Sequence, residues 1–418
     1  MGEITFTRPL SEFLCPQCGW TGDFEARFPA WCLSCTYGAE GGMVLKQFTG
    51  RAQRQKSAAS RRSEKLYAKV VAAPQLRPTG LLRRTTIGVA LLIHLVTLLV
   101  LAGGIVLIAT MPPASLAWFF GPLLILLAIT LRPRFPAMEH GPQLITREQA
   151  PELFGLLDEI AALLHTHSFT AVRLSITANA GTAVFGLRRR ERLLDVGVPL
   201  WQLLGPQERV ALLAHEVAHG ANADSEYGLV VASALSTLRR WYAVTHPLTL
   251  VTGRTRLKTR NVVDVILPFH VFHRWASALV LRSTPRAEYL ADRLAAQVAS
   301  TDAVHAMLDR MVTAGAAMQV LLTAVRARVP SQPWRIVRDF AAALPEHEQA
   351  RLALLSARAG VSIDDSHPPT HLRLQLLRGG EPLPAQLTMT GERCALIDAE
   401  LADPIEQLGA KLSKFARR

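Results

Sequence analysis

Acidic residues are scarce in this chain. Asp and Glu number 33 against 46 Lys and Arg, giving a formal charge of +13 over 418 residues. That imbalance calls for an anionic partner and leaves two classes, nucleic acid and a membrane surface. Cysteine is scarcer still, at five. Four of the five fall in two close pairs. The fifth, Cys394, stands alone in a helix-like C-terminal stretch, where a small buried apolar side chain is expected. An apolar run at the N-terminus is also missing. The first long one begins at Ile87, too far along the chain for a cleaved signal peptide.

Half of the residues are hydrophobic, and the length allows a core of normal size with a second small module. The positive charge is unevenly spread. Arg51, Arg54, Lys56, Arg61, Arg62, Lys65, Lys69, Arg77, Arg83 and Arg84 are opposed only by Glu64, and the stretch ends where the apolar run Ile87–Ala109 begins. An uncharged turn, Met111-Pro112-Pro113-Ala114, separates that run from a second, about Leu116 to Leu131, closed by Arg132 and Arg134. The pair reads as a transmembrane hairpin, with His94 as a polar helix-packing group. This distribution favours membrane lipid over nucleic acid as the anionic partner. Positive charge at both outer ends, and none in the turn, puts the N-terminus and the candidate catalytic region on the cytoplasmic side of a multi-pass cell (inner) membrane protein.

The paired cysteines are Cys15-Pro16-Gln17-Cys18 and Cys32-Leu33-Ser34-Cys35, with thirteen residues between Cys18 and Cys32. Two such knuckles read as a four-cysteine zinc ribbon. Four thiolates fill a tetrahedral shell and leave no position for water, so this zinc is structural. Disulfides would need an oxidising compartment, and the inferred topology places the knuckles in a reducing one.

Residues 215–219 read His-Glu-Val-Ala-His inside an apolar, helix-forming run. On a helix His215 and His219 lie one turn apart on one face, where two imidazoles can share one Zn²⁺. Glu216 is turned about 100° away, placed to act on a water without being a ligand. Pro206 and Glu208 suit the first turn of such a helix. Catalytic zinc needs a third protein ligand. The best candidate is Glu288, in Glu288-Tyr289-Leu290-Ala291-Asp292. Asp292, four residues on, can accept a hydrogen bond from a ligand histidine and fix its tautomer.

These segments resemble the HtpX-type and CAAX-prenyl-protease-type gluzincins. The run from His215 to His219 with Asn222 and Asp224 is similar to their H-E-x-x-H-x-x-N-x-D element, and Glu288 to Asp292 to their E-x-x-A-D element. Asn179-Ala180 resembles their N-A segment, and His367-Pro368 through Arg373 their H-P-x-x-x-x-R element. The resemblance spans about residues 145–380, and the long, irregular stretch between His219 and Glu288 departs from it. It implies that His367 stabilises a developing oxyanion or caps the zinc in a closed state, and that Arg373 orients its loop.

The expected fold is mainly α (α+β), a gluzincin-type helical peptidase domain with a small β-sheet, preceded by a zinc ribbon and a transmembrane hairpin. Expected boundaries are 1–45 ribbon, 46–84 basic juxtamembrane linker, 85–134 hairpin, 140–385 peptidase domain and 386–418 C-terminal helical segment. A helix is expected over Glu148–His165, with strands near Val172–Ile176, Ala183–Leu187 and Leu193–Val198. The Asn179-Ala180 region is the candidate edge for holding an extended substrate. Tyr227–Leu238 and Val262–Leu281 read as membrane-surface or core helices, because Asp264, His270, His273 and Arg274 are costly at mid-membrane. If His215 and Glu288 bind one ion, the number of spans between them is even. The expected activity is that of a membrane-anchored zinc endopeptidase acting on proteins or peptides, with one catalytic and one structural Zn²⁺. Its rivals are a non-catalytic adaptor working through the ribbon and a CAAX-type processing enzyme. Glu216 weighs against the first, since a scaffold needs no base, and the few clear spans weigh against the second.

Overall fold

The computed structural model describes residues 10–41, 51–72, 80–113, 115–132, 138, 141–185, 191–221, most of 230–241, 284–328, 332–359 and 367–415. Asn222, Asp224 and the Val262–Leu281 stretch lie outside the described residues.

The chain opens with an antiparallel hairpin, β1 (Leu10–Leu14) and β2 (Thr21–Glu25), in which Leu10 faces Glu25 and Leu14 faces Thr21. Helix α1 (Arg51–Ala72) follows. Helices α2 (Gly80–Thr110) and α3 (Ala117–Leu131) pack as a hairpin. Gly104 and Gly121 make their close approach possible, since a Cβ on Gly104 would sit 2.8 Å from the Gly121 carbonyl oxygen. The Arg84–Thr110 part of α2 is 27 residues long, and the mean hydropathy of its most apolar 18-residue window is 2.8, enough to cross roughly 30 Å of hydrocarbon. At 15 residues α3 is about 22 Å long, shorter than α2. His94 in α2 does act as a packing group. Its Nε2 lies 3.1 Å from Ser233 Oγ, and Ala90 and Ile93 pack on Ala234, Leu238 and Trp241.

A four-stranded sheet comes next. It is ordered β3 (Leu144–Ile145), β4 (Ala171–Ser175), β6 (Glu191–Gly197), β5 (Ala180–Phe185). Only the β4–β6 pairing is parallel. β5 starts three residues earlier than expected. Ala180 and Gly181 have little strand signature of their own, and antiparallel pairing of Ala180, Gly181 and Thr182 to Val196, Asp195 and Leu194 sets the register. Helix α4 (Pro151–Leu163) precedes β4, starting later than expected because Pro151 takes the first helical position.

Further helices are α5 (Val198–Leu203), α6 (Pro206–Ala221), α7 (Thr284–Ala299), α8 (Thr301–Arg326), α9 (Pro333–Ala342), α10 (Glu346–Ala359), α11 (Thr370–Arg378) and α12 (Gly391–Phe415). The fold is thus mostly helical with small sheets, as expected. α8 is long and apolar enough to cross a membrane, but Val304, Met307, Leu308, Ala314, Ala317 and Leu321 are all buried in the domain core. It is a core helix. The C-terminal segment does not stand apart either, since Ile397, Leu401, Ile405 and Leu408 of α12 enter the same core. The Glu400 carboxylate also accepts the N–H groups of Glu152 and Leu153, capping α4.

The cysteine module rests on α9 and α10. Trp31 donates to the His347 carbonyl at 3.2 Å and stacks on its ring. Arg27 donates to the Ala343 carbonyl at 3.3 Å. Arg351 donates to the Ala39 carbonyl at 2.9 Å, while its Nε and Nη2 hold the two Glu348 oxygens at 2.6 Å each. Both partners of that ion pair are buried. Removing one would strand the other in a dry interface, at a cost of about 3–5 kcal/mol. Arg351→Ala is therefore expected to lower the denaturant midpoint and to speed proteolytic release of residues 10–41. An unchanged midpoint would show that the pair does not hold the module down.

Candidate active site

Helix α6 begins as its sequence dictates. Pro206 opens it, and Glu208 reaches back to accept the Gly205 N–H at 2.8 Å. It is buried nearly all round. His215 is 3% and Glu216 4% exposed. Gln207 ties its start to the end of α7 and to the segment before α12, donating to the carbonyls of Ala299 and Leu387 and accepting the Met389 N–H. These bonds fix α6 against α7, the two helices that carry the candidate ligands.

Three donor atoms converge between them. His215 Nε2 lies 3.3 Å from Glu288 Oε2, His219 Nε2 lies 3.4 Å from Glu288 Oε1, and the two Nε2 atoms are 3.3 Å apart. Tetrahedral zinc with ligands at about 2.0–2.1 Å sets neighbouring ligand atoms about 3.3 Å apart. Two imidazole nitrogens and a carboxylate pointed at a common centre at these spacings fit that ion. The cysteines behave likewise. Cys15 and Cys35 Sγ are 3.5 Å apart, as are Cys18 and Cys32 Sγ, and all four thiols are free. That is far beyond the roughly 2.05 Å of a disulfide and close to the about 3.8 Å edge of a Zn–S₄ tetrahedron.

Behind the ligand atoms lies a buried chain of charge. His215 Nδ1 is 3.0 Å from Asp292 Oδ1, with the ring turned off the ideal N–H line. Arg373, 2% exposed, grips Asp292 with Nε to Oδ2 at 2.7 Å and Nη2 to Oδ1 at 2.6 Å. The arginine expected to orient its own loop thus reaches from α11 into α7 and holds this carboxylate. His367 Nδ1 is 2.6 Å from Glu288 Oε2, so it bonds to the candidate third ligand itself.

Burial alone would lower the His215 pKa, but Asp292 and Glu288 outweigh it and push it up to about 10. The site draws positive charge to this imidazole, and a dication meets that demand as a proton does. Burial, reinforced by His215, pulls His219 down to about 4, so it offers a lone pair at neutral pH. Burial opposes ionisation of Glu288 and Asp292 too. Even so, His215 and His367 hold Glu288 well below the carboxylate range, and Arg373 brings Asp292 to about 2. Glu216 goes the other way. Burial, with Glu288 nearby, raises it to about 7. A proton affinity near neutrality suits a general base.

β5 is the sheet's edge strand and packs on α6, with a second edge open among the described residues. It begins at Ala180, and the Asn179 carbonyl accepts the Gly197 N–H at 2.9 Å. Sequence reasoning missed Arg192. Its guanidinium lies over Phe169 and fills the space that a Cβ on Gly220 would need. The glycine next to the second histidine was the available signal. Cys394 is buried as expected but in polar company, with its Sγ 3.3 Å from Arg209 Nη1.

Residues 185–381 match the family described as Peptidase family M48. This stretch is similar to the HtpX-type M48 metallopeptidases. The chain is 26% identical to Protease HtpX of Pseudomonas syringae pv. tomato over 182 residues, 42% of this chain and 61% of that protein. It is 27% identical to Protease HtpX homolog 2 of Methanosarcina mazei over 244 residues, 57% of this chain and 75% of that protein. The chain therefore spans about three-fifths of the first relative's length. No solved structure matches it. The match to a peptidase family accords with the converging His and Glu side chains.

The raised pKa of Glu216 has a consequence for stability. The folded, metal-stripped protein holds a proton there up to about pH 7, which the unfolded chain releases near 4.5. The native state binds the extra proton, so stability falls as pH rises through that window. Glu216→Gln removes the effect. In metal-stripped samples the variant should lose less stability than wild type between pH 5 and pH 8, by at most about 3 kcal/mol. Parallel pH profiles in denaturant titrations would contradict the burial argument.

Proposed function

We propose that this protein is a membrane-anchored zinc endopeptidase that hydrolyses peptide bonds of protein substrates on the cytoplasmic side, in membrane protein quality control. The observation that carries the reading is the convergence of His215, His219 and Glu288 with Glu216 buried on the same helix. In this reading His215, His219 and Glu288 bind one zinc, and Cys15, Cys18, Cys32 and Cys35 bind a structural one. Bound zinc supplies Lewis acidity and makes water a nucleophile near pH 7.

The chain's own residues do the rest. Glu216 takes a proton from the attacking water and delivers it to the leaving amine. Asp292 holds the Nδ1 side of His215 and keeps Nε2 available as a ligand. Arg373 keeps Asp292 ionised. His367 orients the Glu288 carboxylate and stands beside the position where the oxyanion develops. The β5 edge from Ala180, entered through Asn179, aligns an extended peptide by backbone hydrogen bonds, which are indifferent to its sequence. A non-catalytic adaptor would have no use for Glu216, and a CAAX-type chamber needs more spanning helices than α2 and α3 supply among the described residues.

Glu216→Gln is expected to retain zinc by elemental analysis and to lose casein or peptide cleavage by roughly 10²–10⁴-fold. Equal cleavage by metal-checked variant and wild type would overturn the assignment. The orientation follows from Arg83, Arg84, Arg132 and Arg134 around an uncharged turn. A reporter fused after Arg418 should score as cytoplasmic and one inserted at Ala114 as external. An external signal from the Arg418 fusion would reverse the topology and remove the reducing environment argued for the cysteines.

A further inference from the structure

The stretch expected to be a basic linker packs against the candidate metal site. One face of α1 carries Leu66, Tyr67 and Val70, while Arg61, Glu64, Lys65 and Lys69 are exposed on the other. The apolar face covers Tyr289 of α7 and Leu372 and Leu376 of α11, and the rings of Tyr67 and Tyr289 have centroids 6.4 Å apart at 57°. Tyr289 follows Glu288 directly and lies within the turn that ends at Asp292, and Leu372 directly precedes Arg373. A single contact patch therefore backs the candidate ligand and both members of the Asp292–Arg373 pair.

Resting on the zinc-site reading above, we infer that α1 is a positioning element of the metal centre, acting chiefly through the Tyr67 ring on Tyr289. Tyr289 is 1% exposed, and its hydroxyl is buried without a hydrogen-bond partner among the described residues. A buried hydroxyl in that state is stabilised by moving towards water. With the Tyr67 ring in place that route is closed, and Tyr289 stays against the domain. Without it, Tyr289 gains solvent on the outer side, and α7 can rotate to follow. The Glu288 carboxylate must stay about 3.3 Å from both histidine nitrogens for the three groups to share one ion. A small rotation of α7 breaks that spacing. The determinant lies outside residues 185–381, the part of the chain that matches the peptidase family.

The test uses the full chain in detergent micelles with Tyr67 changed to Phe, Leu or Ala. Cobalt substitution separates the two sites, because four thiolates give an intense sulfur-to-metal charge-transfer band and a two-His, one-Glu site does not. Tyr67→Ala is expected to speed metal loss from the His–Glu site to a chelator at least tenfold, with the thiolate band unchanged. It should also lower kcat with KM unaltered. Tyr67→Phe should match wild type in all three, since the ring carries the effect and not its hydroxyl. Tyr67→Leu should fall between, and it decides the matter if the alanine variant loses the thiolate band and so fails to fold. Wild-type release rates and kcat in Tyr67→Ala, or in Tyr67→Leu where that variant decides, would overturn the inference and leave the enzyme reading intact. A wild-type protein holding cobalt only at the thiolate site would instead overturn the enzyme reading, and the inference with it.

Discussion

The buried pair between Arg373 and Asp292 is the constraint on which the rest of the site depends. An isolated carboxylate at 0% exposure would take up a proton, and an isolated guanidinium at 2% would not be tolerated. Held together by two charge-assisted bonds, they keep a negative charge fixed behind His215. That charge makes the imidazole electron-rich at Nε2, the atom pointed at the common centre. The pair also joins α7 to α11, so the helix bearing Glu288 and the segment bearing His367 cannot move independently. A structural ion pair and the support of a candidate metal ligand are here the same contact.

Around this pair the fold supplies rigidity from several directions. Gln207 links the start of α6 to the end of α7, and the core residues of α12 close over α4 and α6. The cysteine module grips α10, immediately upstream of the segment that leads to His367. α1 covers the outer side of α7 and α11. Both N-terminal modules thus bear on the helices that position the centre, although neither contributes an atom to it. The Glu348–Arg351 pair repeats the logic of Asp292–Arg373 at this second contact. A buried fork of hydrogen bonds fixes a geometry that hydrophobic packing alone would leave free to slide.

Much of the site was legible in the sequence because its signals are local. The four-residue spacing of His215 with His219, and of Glu288 with Asp292, puts each pair on one helix face whatever the rest of the chain does. The paired knuckles of Cys15, Cys18, Cys32 and Cys35 announce a tetrahedral site in the same way. The apolar run in α2 reports its own length. Where the reading was incomplete, the missing information was long-range. α8 and a membrane helix have similar composition, and only packing on the core distinguishes them. The start of β5 follows from its partner β6 and not from its own small residues.

The sequence by itself determined the helix carrying the histidines, the identity of the candidate ligands and base, the cysteine cluster and the apolar hairpin. Each of these is written in spacing along one segment. Only the tertiary structure decided that Arg373 serves Asp292, that His367 bonds to Glu288, that the C-terminal helix belongs to the main hydrophobic core, and that α1 packs on Tyr289. These contacts join residues far apart in the chain. Their partners are selected by which buried charges and apolar faces the fold brings together, and no periodicity along a single segment records that choice.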